Sequence, residues 1–257
     1  MRKWKTFVMD YPAKELDTAK KIMKAQIQNQ GSSTYANIEN IGQFLVNKFH
    51  KQEGTPSPAL LSATPFQQFE ILSSHDSDQL WCGNYAEMFA FFCWSQNITC
   101  RIIEIINEGD HHVLNECYCP ETNQWVMVDL THNQLLIKNS DNRFLNLIDF
   151  RNALKQGKTL FALRASRDSV AGHPLNPDTG YIENYYKKES PLLYYHEVDL
   201  NKVYSGNAKI KRYFFPVSWY EMYSGHPSFE LLFYVKQLFI LLWLAVCLRY
   251  VLQFFKK

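Results

Sequence analysis

The chain has 257 residues, of which 46% are hydrophobic and 20% are charged, and its formal net charge is +2. This length allows one sizeable core but is short for two full domains, so we expect one main domain with smaller appendages. The charges form no long basic run, which leaves no electrostatic reason to expect a nucleic-acid partner.

The first part of the chain predicts helices. Residues 13–28 and 37–52 carry apolar side chains at helical spacing. Residues 53–66, which contain several prolines, predict a loop that leads toward the next apolar segment. We therefore expect residues 1–75 to form the helical N-terminal part of the main domain.

A cysteine stands where the most apolar of these segments begins. Residues 84–94 are nearly all apolar and predict a buried helix, with Cys82 just before its first turn and Cys93 inside it. Unpaired amides and the partial positive charge at a helix N-terminus stabilise a thiolate. Cys82 is thus placed as a nucleophile would be, and Cys93 as a small hydrophobic residue. The same amides, with Gly83 and Gln79 as candidate contacts, could bind an oxyanion or substrate, although Gln79 could equally lie in a solvated loop.

Three strands are predicted after this helix. Residues 100–106, 112–119 and 124–131 are short segments rich in β-branched or aromatic side chains and bounded by polar turns. A helix is predicted over residues 144–157, followed by a further strand in "TLFALRAS". The pattern indicates an α+β domain with a mainly antiparallel sheet.

A histidine and an aspartate fall on one face of the second and third strands. A turn centred on Pro120 and Glu121 would place His112 directly opposite Asp129. A four-residue turn closed by Cys119 and Gln124 would make them diagonal neighbours, roughly 7–8 Å apart. Either register allows the orienting pair that a cysteine nucleophile requires.

The blocks "WCGNYAEMF", "CRIIEI", "HVLNE" and "QWVMVDLTHN", in this order, resemble the transglutaminase-like superfamily, which has a papain-like fold. The resemblance covers about residues 75–135 and implies a catalytic core over residues 76–165. It implies a catalytic triad of Cys82 as nucleophile, His112 as general base and acid, and Asp129 as the residue that orients the imidazole.

The activity implied by the resemblance is acyl transfer from an amide or peptide bond through a thioester. Hydrolysis is favoured because water needs no second binding site, and the expected partner is a protein or peptide-like amide substrate. Two alternatives stay open. One is a protein-crosslinking acyl transferase, and the other is a catalytically silent, membrane-tethered binding or scaffolding module.

A zinc site built from His111, His112, Cys117 and Cys119 is a further hypothesis, since these residue types bind zinc. Strand alternation, however, sends Cys117 and Cys119 to the face opposite His112, and the CxxC spacing is absent. Core packing is the favoured interpretation of both cysteines. We predict no metal and no cofactor.

The C-terminal third is predicted in two parts. Residues 166–228, which include the aromatic run at 212–223, form an extension that packs on the core. Residues 229–257 form a hydrophobic helix whose uninterrupted apolar core is shorter than the roughly 20 residues that span a bilayer. Lys236 and Arg249 flank this core and could snorkel, so we expect a membrane-associated helix and leave spanning or lying flat open. The N-terminal residues lack a secretory apolar stretch, so the main domain is expected in the cytoplasm.

Overall fold

The structure is a computed structural model that describes residues 11–26, 33–107, 110–163, 173–174, 186, 190, 192–195, 220–223 and 228–254. Helices and antiparallel strands both occur in these residues, so the predicted α+β class is confirmed. The domain limits at residues 75, 165 and 228 stay predictions. Most of the aromatic run at 212–223 lies outside the described residues.

The N-terminal part contains four α-helices among the described residues. They are α1 (Ala13–Gln26), α2 (Thr34–Phe49), α3 (Pro58–Ser62) and α4 (Pro65–Ser74). The first two confirm the helices predicted there, with small shifts of their ends. The loop prediction for residues 53–66 is wrong over α3 and the start of α4. A reciprocal capping box between Thr64 and Gln67, with Pro65 at the first helical position, explains why α4 begins inside a proline-containing stretch.

The described strands are β1 (Cys100–Asn107), β2 (Asp110–Cys119), β3 (Gln124–Val128), β4 (Leu136–Asn139), β5 (Leu160–Leu163), β6 (His173–Pro174), β7 (Leu192–Tyr195) and β8 (Tyr220–Tyr223). The main sheet has five of them in the order β3-β2-β1-β7-β8, and a second sheet has the order β4-β5-β6. All neighbouring strands are antiparallel. The three strands predicted first and the later one at β5 are confirmed, whereas β4 was not predicted.

Two helices flank the central strands. Helix α5 (Cys82–Ser95) confirms the predicted buried helix, and α6 (Leu147–Lys155) confirms the helix predicted near residue 150. The described apolar side chains form two clusters. One contains Phe89 of α5 with Cys117 of β2, and the other contains Leu114 of β2 with Phe150 of α6. Strand β2 therefore contributes alternate side chains to both cores, as its pattern predicts.

A buried ion pair joins the central strands to α6. The Arg101 guanidinium of β1 donates to Glu116 of β2, its directly opposite partner, and Arg101 also lies 4.0 Å from the centre of the Trp125 ring. The other oxygen of Glu116 accepts the backbone N–H of Leu147 at 2.7 Å, at the first residue of α6. The buried carboxylate is thus satisfied by partners on two elements, and it fixes where α6 starts.

Helix α7 (Ser228–Phe254) contains the predicted C-terminal apolar segment. Its side chains Leu238, Phe239, Leu241 and Trp243 are each more than half exposed. In the part of the chain that the structure describes, no helix combines the length and the apolar character needed to cross a bilayer. The interpretation of this segment as a spanning helix therefore has no support.

Candidate active site

Cys82 is the first residue of α5, and local hydrogen bonds fix the position of this helix start. The Asn84 side chain accepts the backbone N–H of Trp81 at 3.0 Å, which closes the first turn from inside the helix. Leu80, which precedes Trp81, is held too, because its backbone N–H donates to the carbonyl of Gln52 at 2.8 Å. First-turn amides have no partner within the helix, so the thiol lies beside a group of available N–H donors.

His112 and Asp129 are brought together by the β2–β3 hairpin. In its register Asn115 lies opposite Val128, so the turn has four residues and Asp129 is a diagonal neighbour of His112. The alternative of direct opposition is therefore wrong. The ring atom Nε2 of His112 lies 2.8 Å from Oδ2 of Asp129, and both side chains are buried. The expected His–Asp pair is formed.

The carboxylate of Asp129 is surrounded by more donors than the sequence analysis predicted. Oδ2 also lies 2.7 Å from Nδ1 of His132 and accepts the Tyr186 hydroxyl. Oδ1 accepts the backbone N–H of His132 at 3.3 Å. A carboxylate only accepts hydrogen bonds, so the facing nitrogens of both histidines carry protons. Three donors on one oxygen hold Asp129 ionised and in one orientation.

His132 and Tyr186 are the site residues that the sequence analysis missed. His132 reaches the site because reciprocal backbone bonds between Asp129 and Gln134, of 2.7 and 2.8 Å, fold the chain back directly after β3. The spacing Asp-x-x-His in "DLTH" is a local pattern that could have indicated it. Tyr186 lies far away in the sequence, and no local pattern points to it.

The rings around the pair restrict the imidazole of His112. The centres of the His112 and His132 rings are 4.5 Å apart, with 48° between their planes. Tyr186 packs edge-on against Phe150 at 5.1 Å, which places its hydroxyl over Asp129. The imidazole is therefore held by packing as well as by its hydrogen bond.

The charges of the site reinforce each other. Burial lowers the pKa of His112, but the charge and hydrogen bond of Asp129, together with the Cys82 side chain, raise it to about 10. Burial raises the pKa of Asp129, yet His112 and His132 hold it well below its usual range. The pair is thus an imidazolium and a carboxylate at neutral pH.

The Cys82 side chain is among the groups that raise the pKa of His112, so its thiol is a near neighbour of the imidazole. Because Nε2 of that ring faces Asp129, Nδ1 is the nitrogen available to the thiol. A proton can therefore pass between sulfur and Nδ1 while Asp129 holds the opposite side of the ring.

The two predicted oxyanion contacts differ. The exposed Gln79 directs its carbonyl oxygen to the backbone N–H of Thr55 at 3.1 Å and lies against Gly54. Its amide group is therefore engaged with the loop that precedes α3. At Gly83 a hypothetical Cβ would have no atom within 4 Å, so a ligand can approach the backbone beside Cys82. A role in oxyanion binding stays a prediction for both residues.

The four residues considered for zinc do not converge. His111 is exposed and pairs with Glu104 at 2.6 Å, whereas Cys117 and Cys119 are buried. Both cysteines belong to the core cluster of α5, on the face of β2 opposite Leu114. The prediction that they face away from His112 is confirmed.

Comparison with known proteins gives one distant likeness. No protein family matches the sequence, and no curated protein matches it. The fold resembles the crystal structure of a protein from Cytophaga hutchinsonii that is described provisionally as a cysteine protease, with 16% sequence identity and a TM-score of 0.36. The match covers 47% of this chain and 40% of the other.

Proposed function

We propose that this chain is a cysteine-dependent hydrolase that cleaves an amide or peptide bond through a thioester, in a domain of the transglutaminase-like, papain-like type. One observation carries the proposal. The imidazole of His112 is held by Asp129 at 2.8 Å through Nε2, and the Cys82 side chain is among the groups that raise the pKa of this ring. This is the nucleophile, base and orienting residue of a catalytic triad.

Acylation begins from an ion pair in which the thiol proton of Cys82 resides on Nδ1 of His112, so that the ring is an imidazolium and the sulfur a thiolate. The thiolate attacks the substrate carbonyl carbon, and the resulting oxyanion is stabilised at the N-terminus of α5, where the space beside Gly83 is open. His112 then protonates the leaving nitrogen as the C–N bond breaks, which leaves a thioester on Cys82. Asp129 stays ionised throughout and stabilises the imidazolium.

Deacylation uses the same groups in reverse. His112 removes a proton from water, the hydroxide attacks the thioester, and the C–S bond breaks as the proton returns to sulfur. An amine in place of water would give crosslinking, which is the alternative activity. Hydrolysis is preferred because an amine acceptor requires a second binding site. The alternative without enzymatic activity is the catalytically silent, membrane-tethered binding or scaffolding module.

The proposal is tested by acylation with p-nitrophenyl acetate, with the modified cysteine identified by peptide mass spectrometry. We expect a burst of nitrophenol, acetylation of Cys82, and loss of both in Cys82→Ala. Cys247, which is also partly exposed, is the matched control, and Cys247→Ala should leave the burst unchanged. The assay is repeated with an added primary amine. If the acetyl group is transferred to this amine, the protein has transferase activity. Acetylation of Cys82 no faster than that of Cys247 would favour the scaffold.

We further propose that the main domain is cytoplasmic and that α7 lies in the membrane interface. The support is its row of exposed apolar side chains, among them Phe239 and Trp243. Co-sedimentation with phosphatidylcholine–phosphatidylserine vesicles should be lost in a Phe239→Glu/Trp243→Glu variant. Equal sedimentation of variant and wild type would contradict the proposal.

A further inference from the structure

Three cysteines that are far apart in the sequence meet in the core near the end of α5. Cys93 comes from α5, Cys100 is the first residue of β1, and Cys117 of β2 lies directly opposite Cys100. Their sulfur atoms all lie within 4.8 Å of one another, and those of Cys93 and Cys117 are 3.9 Å apart. None of the three residues is more than 3% exposed.

This separation fits a metal bound by three sulfurs. A metal–sulfur bond of about 2.3 Å, with the three sulfurs in a plane around the ion, separates the sulfurs by about 4.0 Å. The observed separation of Cys93 and Cys117 is 3.9 Å. The third sulfur needs to move by less than about 1 Å to complete such a triangle. The backbone thus already holds the ligands close to a coordination geometry.

A polar group supports the cluster from β2. The side-chain amide of Asn115 is buried, is fixed by donation to the carbonyl of Ala86 at 3.0 Å, and lies 3.6 Å from the sulfur of Cys100. An N–H donor aimed at sulfur stabilises its thiolate form and orients it, as outer-shell groups do in metal sites. Packing alone explains a buried cysteine, but it requires neither the convergence of three sulfurs nor the amide donor.

We propose that Cys93, Cys100 and Cys117 form a binding site for a soft, thiophilic metal ion, Cu(I). Sulfur ligands select soft ions, and Cu(I) accepts three-coordinate sulfur geometry. Structural zinc requires a fourth ligand. Within the described residues no fourth His, Cys, Asp or Glu ligand atom joins this group. On binding, the ion replaces thiol protons, which leave to the buffer, and no electron is transferred.

The site is separate from the proposed catalytic centre. Cys82 and Cys93 lie near opposite ends of α5, about 16 Å apart along the helix at 1.5 Å per residue. The cluster lies under the turn between α5 and β1, where Asn97 is exposed and has a left-handed φ of 58°. The role proposed for the metal is therefore to stabilise the junction of α5, β1 and β2.

The test uses the full chain with Cys82→Ala and Cys247→Ala, which removes the two partly exposed thiols. Cu(I) is supplied as its acetonitrile complex under anaerobic, reducing conditions, and bicinchoninate removes weakly bound ion before desalting. We expect about one copper per chain and a higher melting temperature with copper than without. Adding Cys117→Ser or Cys100→Ala should abolish both effects. Adding Cys119→Ser, a buried cysteine outside the cluster, should preserve them.

Circular dichroism of each variant shows whether it remains folded, and two different cluster variants guard against one that does not fold. Copper retention unchanged by Cys117→Ser and Cys100→Ala would overturn the assignment, as would a folded parent that retains no copper. Retention of Zn²⁺ but not of Cu(I) would overturn the three-coordinate geometry. None of these outcomes depends on Cys82 chemistry.

Discussion

Replacing Asp129 with Asn removes the charge that keeps His112 protonated. In the folded protein the pKa of His112 is raised from 6.5 to about 10, against the opposing effect of burial. Each pKa unit corresponds to about 1.4 kcal/mol, so the coupling is on the order of 5 kcal/mol. Loss of one partner from a buried pair costs about 3–5 kcal/mol, and we expect the free energy of unfolding at pH 7 to fall by that amount in Asp129→Asn.

The pH dependence has a definite sign. Because the folded pKa of His112 lies above the unfolded value, its contribution is fully present below about pH 6.5 and is lost as the pH rises toward 10. The pKa of Asp129 is lowered in the folded protein. Its contribution to stability is therefore present above the pKa of the unfolded state and is lost as the pH falls through the pKa of the folded state. The difference in stability between wild type and Asp129→Asn should therefore be largest near neutral pH and shrink toward pH 10.

The assay is urea unfolding followed by tryptophan fluorescence at pH 7 and pH 10, with NMR titration of the His112 ring. The control is Asp149→Asn, because that partly exposed carboxylate faces Arg143 at 3.5 Å and should have a small effect at both pH values. The reasoning would be refuted if the His112 pKa stayed near 10 in Asp129→Asn. Equal stability differences at the two pH values would refute it as well.

Three further substitutions in the core are tested by the loss that each causes in the free energy of unfolding, measured in urea. Glu116→Gln should cost about 3–5 kcal/mol, because it leaves the buried Arg101 charge without its carboxylate, and a loss below about 1 kcal/mol would contradict this. Phe89→Ala should cost about 3–5 kcal/mol because Phe89 is fully buried, and a near-neutral result would mean that it does not lie in the core. Gly42→Val should cost about 1–3 kcal/mol because its Cβ would lie 2.2 Å from Leu135, and unchanged stability would show that this contact relaxes freely.

Local sequence pattern was sufficient to predict where the three residues of the proposed triad lie in the secondary structure. The apolar run predicted α5 and placed Cys82 at its start, and the two-residue period of β2 and β3 placed His112 and Asp129 on one face. The register depended on the turn. A four-residue turn with Asn123 at a φ of 53° was one of two solutions consistent with the sequence.

The remaining site residues arise from contacts that sequence periodicity does not encode. His132 depends on the backbone bonds between Asp129 and Gln134, and Tyr186 comes from a segment 57 residues beyond Asp129. The cysteine cluster likewise depends on how α5 packs on the sheet, which brings Cys93 to a cross-strand pair. Such long-range convergence is a property of tertiary packing.

The central claim is that His112 activates the Cys82 thiol. It is tested most directly by the rate of iodoacetamide alkylation at Cys82 as a function of pH, measured by peptide mass spectrometry in wild type and in His112→Ala. The proposed site predicts that at neutral pH wild-type Cys82 is alkylated much faster than Cys82 of the His112→Ala variant. Equal alkylation rates in the two proteins across the pH range would contradict the claim.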